Sequence, residues 1–147
     1  MKIIRVKESS KEILQTINKL LPQLSPSSNQ LSERELSKIL KAESNQILLA
    51  THNGEICGML TLVICHLTSG NKAVIEDVAV DEAFRGRGIG KMLMEEAIAI
   101  AKHLGLKHIN LTSNRARLAA NALYRRIGFK KRDTNVYRLA LQEEQMS

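Results

Sequence analysis

The sequence is poor in aromatic residues and in cysteine. Phe, Tyr and Trp make up only 3% of its 147 residues, and Trp is absent. Proteins that bind single-stranded nucleic acid stack bases on aromatic side chains, so this composition argues against such a surface. The only cysteines, Cys57 and Cys65, lie on one predicted strand, eight residues and about 26 Å apart. That separation excludes a disulfide, and no metal cluster is indicated.

Long apolar segments are also missing. No apolar run reaches the roughly 20 residues that a transmembrane helix requires. Residues 1–7 lack the apolar core and the cleavage site of a signal peptide. We therefore expect a cytoplasmic protein without a membrane partner. The length and an apolar content of 44% fit one domain over residues 1–147.

Acidic residues are outnumbered by basic ones. The 22 Lys and Arg against 15 Asp and Glu give a net charge of +7. Such an excess favours a nucleic acid, an acidic partner or a polyanionic cofactor. Nucleic acid is the weakest of these because aromatic residues are so few. The basic cluster between Arg115 and Arg132 is either a solvated face or an attractor for a phosphate-bearing cofactor.

Hydrophobic periodicity predicts alternating strands and helices. In chain order we predict a strand near 3–6, a helix from 13 that Pro22 and Pro26 end, a helix near 33–40, strands 47–50, 56–65 and 73–80, a helix 88–104, a strand near 109–111, a helix 115–127, and closing strands near 129 and 136–141. Capping boxes are predicted at Ser9–Glu12 and Ser32–Glu35, and Asn53-Gly54 predicts a hairpin turn.

This order of elements predicts an α/β fold. The three middle strands should form an antiparallel meander. The strand, helix and strand around Gly88 form a βαβ unit, so those two strands should be parallel with a right-handed crossover. The expectation is a mixed, mostly antiparallel central sheet with helices on both faces.

The run from Val78 to Gly90 is the most informative part of the sequence. It ends a strand, turns, and opens a helix with glycines at 86, 88 and 90. Glycine lets a ligand approach the backbone, and a helix start offers unpaired N–H groups that favour phosphate. The spacing excludes a P-loop, because that motif needs Ser or Thr at the position of Met92. It also excludes a dinucleotide-binding fingerprint, because that motif needs an acidic residue about where Asn110 lies.

The run resembles motif A of the GNAT superfamily of acetyl-CoA-dependent N-acetyltransferases. The family pattern Arg/Gln-x-x-Gly-x-Gly/Ala is matched by Arg85, Gly88 and Gly90. Residues 120–129, which include Tyr124, resemble the family signature Ala-x-x-x-Tyr-x-x-x-Gly-Phe. The resemblance implies a single-domain GNAT fold that moves acetyl from acetyl-CoA to a primary amine. It also implies direct attack in a ternary complex rather than an acetyl-cysteine intermediate.

The resemblance also implies which residues bind the cofactor. Amides of the glycine turn would hold the pyrophosphate, and the strand before it would pair with the pantetheine arm. The Val80 amide would donate to the oxyanion. The implied set is Val78, Ala79, Val80, Arg85, Arg87, Gly88, Ile89, Gly90, Lys91, Asn114 and Asn121. Where many family members have an Asn that contacts the arm, this sequence has Arg117, so the contacting asparagine stays open.

Two residues are candidates for proton transfer. By resemblance Tyr124 would protonate the leaving thiolate; alternatively, it packs its ring and bonds its hydroxyl to the backbone. Strand alternation places Glu76 on the face of Val78 and Val80. Apolar neighbours there would favour the protonated form of its carboxyl group, and this higher proton affinity suits a general base. Asp77 is the alternative base, and a structural role for the acidic pair is equally open.

The acceptor is not specified by the sequence. Small amines, aminoglycosides, polyamines and peptide amino groups all fit, so we expect a small-molecule or peptide amine. A non-catalytic acyl-CoA-binding or regulatory module of the same fold is the alternative. A homodimer is expected by analogy with the family alone.

Overall fold

The structure, a computed structural model, describes residues 1–26 and 28–142. Its contacts divide the chain into a larger unit, Met1–Leu111, and a smaller unit, Thr112–Ser147. The elements are β1 (Lys2–Arg5), α1 (Lys11–Leu24), α2 (Glu33–Lys41), β2 (Asn45–His52), β3 (Glu55–Cys65), β4 (Lys72–Val80), a short 3-10 turn (Glu82–Phe84), α3 (Ile89–His103), β5 (Ile109–Asn110) and α4 (Leu118–Ile127). The single domain over 1–147 stays a prediction.

The larger unit is built on a five-stranded sheet in the order β1-β2-β3-β4-β5. The first four strands pair antiparallel, and β4 pairs parallel with β5. The predicted hairpin turn is confirmed, because His52 pairs with Glu55 and both Asn53 and Gly54 have positive φ, as a type I′ turn requires. The meander and the parallel pair around α3 are confirmed as well.

Helices cover both faces of this sheet, as predicted. Buried side chains of α1 and α2 pack on one face and form one cluster with residues of β2, β3 and β4. That cluster comprises Ile17, Leu20, Leu36, Ile47, Leu49, Met59 and Ala79. Gly58 precedes Met59 and so faces the other side, where a Cβ would lie 3.1 Å from Ile89 and 3.2 Å from Leu93 of α3. Glycine at this position lets α3 approach the sheet closely.

The helix starts show why one capping prediction is right and the other is wrong. At α2 the Ser32 hydroxyl accepts from the Glu35 amide and the Glu35 carboxylate accepts from the Ser32 amide, the predicted capping box. At α1 the cap is Ser10, which accepts from the Ile13 amide, while Ser9 hydrogen-bonds Ser37 instead.

The prediction that Pro22 ends α1 is wrong. Pro22 lies in the last turn, where the lost N–H breaks only one hydrogen bond and the helix continues to Leu24.

A β-bulge in β4 changes which face its side chains occupy. Met59 pairs with Ala79 and Thr61 pairs with Glu76, so β4 has one more residue than β3 in this interval. Asp77, inside the bulge, has a φ of 52°. The extra residue inverts the alternation. Glu76 therefore lies on the face of α1 and α2, while Val80 lies on the opposite face, and the prediction that they share a face is wrong.

The closing strands predicted near 129 and 136–141 are also wrong. The described residues after α4 form no strand. Alternating apolar residues form a strand only where a neighbour completes the backbone hydrogen bonds, and none of the described strands does so here. Four large apolar side chains are 77–90% exposed as a result: Val136, Tyr137, Leu139 and Leu141. In the described part of the chain, no helix is both long and apolar enough to cross a bilayer.

Candidate active site

The turn between β4 and α3, in the larger unit, leaves the backbone amides at the start of α3 uncapped. Gly86 and Gly88 have φ values of 80° and 76°, and no atom lies within 4 Å of where a Cβ would stand at either position. Gly88 is the N-cap of α3, and no side chain caps the helix. The amides of Ile89, Gly90 and Lys91 therefore have no intrahelical acceptor. A phosphate fits this turn because free amides and the positive end of the helix dipole favour an anion.

The three basic side chains of the turn differ in their contacts. Arg85 Nε donates to the Val80 carbonyl at 3.4 Å, so this side chain returns to the strand. The Arg87 guanidinium lies 5.1 Å above the Phe84 ring, a cation–π contact that keeps its charge beside the glycines. Lys91 forms an exposed ion pair with Glu95 at 3.8 Å, which contributes little stability.

The end of β4 presents backbone groups on its open side. The Asp81 amide donates to the Cys57 carbonyl of β3 at 2.9 Å. Successive residues of a strand direct their backbone groups to opposite sides, so the N–H and C=O of Val80 point away from β3. The bond from Arg85 to the Val80 carbonyl agrees with this orientation.

On that open side, β5 covers only the beginning of β4. The parallel pairing joins Ala73 with Ile109 and Val74 with Asn110 and extends no further. Residues 75–80 therefore have no strand neighbour on this side among the described strands. An extended ligand can pair with such a strand edge as an added strand does. Among the predicted residues, Val80, Arg85, Arg87 and Gly88 are thus brought together, whereas Ala79 is buried in the core.

The acidic pair precedes this edge. Glu76 is exposed, so it does not have the apolar surroundings that alternation predicted. Asp77 retains exposed surface, yet partial burial of its carboxyl group raises its pKa above the ordinary value. The two carboxyl groups therefore differ in part: that of Asp77 is partly desolvated, whereas Glu76 is exposed.

Cys57 does not have the surroundings of a nucleophile. Both cysteines are free; Cys57 is fully buried and its Sγ lies 3.4 Å from the Ala50 carbonyl oxygen. Burial, with a smaller effect of Glu55, raises the Cys57 pKa, which keeps it a neutral thiol. Cys65 is only partly buried at the far end of β3.

In the smaller unit, α4 holds Tyr124. The ring is only 6% exposed and meets the edge of Phe129, whose amide donates to the Tyr124 carbonyl. Gly128, with a φ of 125°, ends the helix and allows this return. Burial raises the Tyr124 pKa, although nearby Arg117 opposes the shift. No described residue hydrogen-bonds the hydroxyl, so the phenol is a protonated group with its donor free.

The two asparagines near α4 make local contacts. Asn114 accepts from the Ala116 amide, and Asn121 donates to the carbonyls of Asn114 and Arg117. These bonds hold the start of α4, which is why this helix begins at Leu118 rather than at the predicted residue 115. They give both asparagines a structural role in the smaller unit.

Sequence reasoning missed three residues around the glycine turn. Asp81 is the only charged or polar side chain that is buried in the described part of the chain, and it caps the 3-10 turn through the Ala83 amide. The Phe84 ring meets His52 edge-on, with centroids 6.2 Å apart. Asp directly after a strand is a capping signal that could have been found; the His52 contact, from another strand, could not.

Comparison with known proteins identifies the family. The profile of the Acetyltransferase (GNAT) family matches residues 13–129. Mycothiol acetyltransferase of Nocardia farcinica is 33% identical over 100 residues, which are 68% of this chain and 31% of that protein. The chain spans less than half the length of this and two other curated acetyltransferase relatives.

Solved structures share the fold. A transcriptional regulator from Bacillus halodurans C-125 aligns with a TM-score of 0.81 and 26% identity, over 95% of this chain and 100% of that one. An aminoglycoside acetyltransferase from an uncultured soil metagenomic sample, in complex with trehalose, aligns with a TM-score of 0.85 over 97% of this chain and 96% of that one. Its identity is 20%, so this likeness shows the fold alone. Because the family profile covers most of the chain, which also has the fold and the glycine turn, the chain belongs to the GNAT acetyltransferase family.

Proposed function

We propose that this chain transfers an acetyl group from acetyl-CoA to a primary amine in a ternary complex. One observation carries the proposal: an uncapped helix start with two left-handed glycines follows, after one short 3-10 turn, a strand whose Val80 backbone faces an unpaired edge. A pyrophosphate and an amide-bearing arm together fit these two features. Free helix amides suit the phosphates, and a strand edge suits the arm.

Acetyl-CoA, when it is bound, supplies the activated thioester, and its coenzyme A thiolate is the leaving group. The amides of Gly88, Ile89, Gly90 and Lys91 would hold its pyrophosphate, with Arg87 adding positive charge. Val78 and Val80 would pair with the arm. Because Arg85 already bonds the Val80 carbonyl, we assign Arg85 to fixing the strand end rather than to contacting phosphate.

The reaction requires charge stabilisation and two proton transfers. The amine nitrogen attacks the thioester carbon, and the C–N bond forms as the carbonyl oxygen becomes an oxyanion. The Val80 amide would donate to that oxygen. The C–S bond then breaks, and Tyr124 would give its proton to the sulfur. The proton that the amine loses goes to a base.

Glu76 is our proposed base, acting through water, with Asp77 as the alternative. The exposure of Glu76 suits a water-mediated route. A screen of amine acceptors with acetyl-CoA, reading released thiol, tests the activity. Tyr124→Phe and Glu76→Gln then test the assignments: if neither variant lowers turnover of any acceptor, the catalytic roles are wrong.

A regulatory module without catalysis is the second candidate. The similarity to the Bacillus transcriptional regulator, at 26% identity over 95% of this chain, supports this second candidate. The two functions differ in one measurement. A regulatory module would be stabilised thermally by acetyl-CoA and would release no thiol with any amine in the screen.

We propose a small-molecule or peptide amine as the acceptor, and the Nocardia relative, mycothiol acetyltransferase, favours a small molecule.

We also propose that the chain forms a homodimer. The four exposed apolar side chains from Val136 to Leu141 support self-association, since exposed apolar patches mark interaction sites. Sedimentation equilibrium tests it, because a monomer at every concentration would contradict the homodimer.

A further inference from the structure

Helix α1 contacts the connection that leads from β4 to the glycine turn. Lys19 Nζ lies 3.4 Å from Asp81 Oδ2, and the Glu82 amide donates to Gln23 Oε1 at 3.1 Å. Lys19 and Gln23 are four residues apart, which places them one turn apart on the same side of α1. Two consecutive residues of the connection are therefore bonded to one side of a helix that is distant in sequence.

Asp81 is the centre of these contacts. One carboxylate oxygen faces Lys19, the other accepts from the Ala83 amide, and the Asp81 amide donates to Cys57. The side chain is 9% exposed, whereas that of Lys19 is 65% exposed. A buried carboxylate needs a compensating charge and hydrogen bonds, so Lys19 stabilises the one charged group that fixes the connection.

The connection determines where the phosphate-binding amides lie. Glu82–Phe84 continues through Arg85 directly into Gly86 and Gly88, and no other element intervenes. Backbone donors bind an anion well only when they are already arranged before the ligand arrives. A displacement of Asp81 or Glu82 would move the glycine turn with it.

We propose that Lys19 and Gln23 are positioning residues for acetyl-CoA: they hold the β4–α3 connection so that its free amides are arranged for the pyrophosphate. The inference rests on the proposed function. Neither side chain contacts the cofactor; both act through Asp81 and Glu82.

Kinetics separates positioning from general stabilisation. Lys19→Met and Gln23→Ala should each raise the KM for acetyl-CoA about three- to tenfold and change kcat less than about twofold. Lys19→Arg, which keeps the charge, should restore most of the affinity. Lys11→Met and Gln15→Ala are matched controls on exposed positions of the same helix, with the same changes of charge and size. Both controls should leave KM unchanged.

Hydrogen exchange tests the same inference without the cofactor. In the ligand-free protein, the amides of Ala83 to Lys91 should exchange faster in Lys19→Met and Gln23→Ala than in the controls, while those of β2 and β3 stay unchanged. Unchanged exchange at the turn, or a KM shift equal to that of the controls, overturns the inference. If wild-type protein does not bind acetyl-CoA in calorimetry, the proposed function fails instead, and exchange still decides whether α1 holds the turn.

Discussion

Tyr124 combines a buried ring with a hydroxyl that no described residue bonds, and this combination predicts a general acid. Tyr124→Phe should lower kcat about a hundredfold or more and leave the KM for acetyl-CoA nearly unchanged. Because burial raises the Tyr124 pKa above its ordinary value near 10, the proton is present across neutral pH and is lost only in strong alkali. The pH profile of kcat measures this directly.

Tyr137→Phe is the matched control, since the chain has only two tyrosines and Tyr137 is 86% exposed. It should leave kcat unchanged. Equal activity of Tyr124→Phe and wild type would show that the tyrosine only packs, which is the alternative interpretation of this residue.

Asp77 occupies a costly position. It is a non-glycine residue at positive φ, and partial burial raises its pKa. A carboxyl with a raised folded pKa contributes stability at low pH that is lost as the pH rises through that pKa, so at neutral pH its charge destabilises. Asp77→Asn should therefore raise Tm by about 1–3 °C at pH 7, since Asn tolerates this conformation and carries no charge.

Thermal unfolding at pH 7 and near pH 3 checks the Asp77 prediction. The increase in Tm that Asp77→Asn gives should be smaller near pH 3, because the Asp77 carboxyl is then largely neutral in both the folded and the unfolded state. Glu76→Gln, on the exposed neighbour, should not raise Tm. A gain that is equal at both pH values would mean that charge is not the cause.

At the level of elements, the two ends of α3 offer a controlled comparison. Gly88 precedes the helix and Gly105 follows it; both have positive φ, and a Cβ at either would meet no atom within 4 Å. Ala at either position should cost about 1–2 kcal/mol of strain and lower Tm similarly. Only Gly88→Ala should weaken acetyl-CoA binding, about tenfold or more, because its Cβ would enter the space for the pyrophosphate.

Calorimetric titration of both glycine variants decides this point. If Gly105→Ala weakens binding as much as Gly88→Ala, the loss comes from strain in α3 and the phosphate assignment fails.

Two elements that depend on local chemistry were predicted correctly, although the capping box at Ser9–Glu12 was not. The Asn53-Gly54 turn and the Ser32–Glu35 capping box depend on neighbouring residues and were confirmed. The bulge at Asp77 was not predictable, because an apolar alternation of period two contains no sign of an extra residue. The prediction of a strand at 136–141 is wrong for a related reason. Apolar alternation shows that a segment favours extended backbone, but it does not show that a partner strand is present.

For the whole molecule, the net charge of +7 predicts salt-dependent attraction of a polyanionic cofactor. The KM for acetyl-CoA should rise about three- to tenfold between roughly 50 and 300 mM salt, with kcat at saturation unchanged. S-acetylpantetheine, a donor without phosphates, is the control and should show little dependence. Steeply salt-dependent binding to duplex DNA, without thermal stabilisation by acetyl-CoA, would favour the nucleic-acid alternative instead.

The site residues that the sequence predicts are those that lie in contiguous motifs. Arg85, Gly88 and Gly90, and later Tyr124, lie in short patterns that carry their chemistry locally. The contacts of Lys19 and Gln23 join α1 to residues after β4, and no local pattern reports a contact across such a separation. Folding creates that part of the site.

The burial of Cys57 allows this thiol to report on local opening of the protein. A thiol reagent needs both access and a thiolate; Cys57 is fully buried, and burial raises its pKa. Modification must therefore wait for a local opening that exposes the thiol, so its rate measures an opening equilibrium. Since the Cys57 carbonyl accepts from Asp81, a cofactor that fixes the glycine turn should slow that rate, and acetyl-CoA occupancy becomes visible as protection of a cysteine that takes no part in the chemistry.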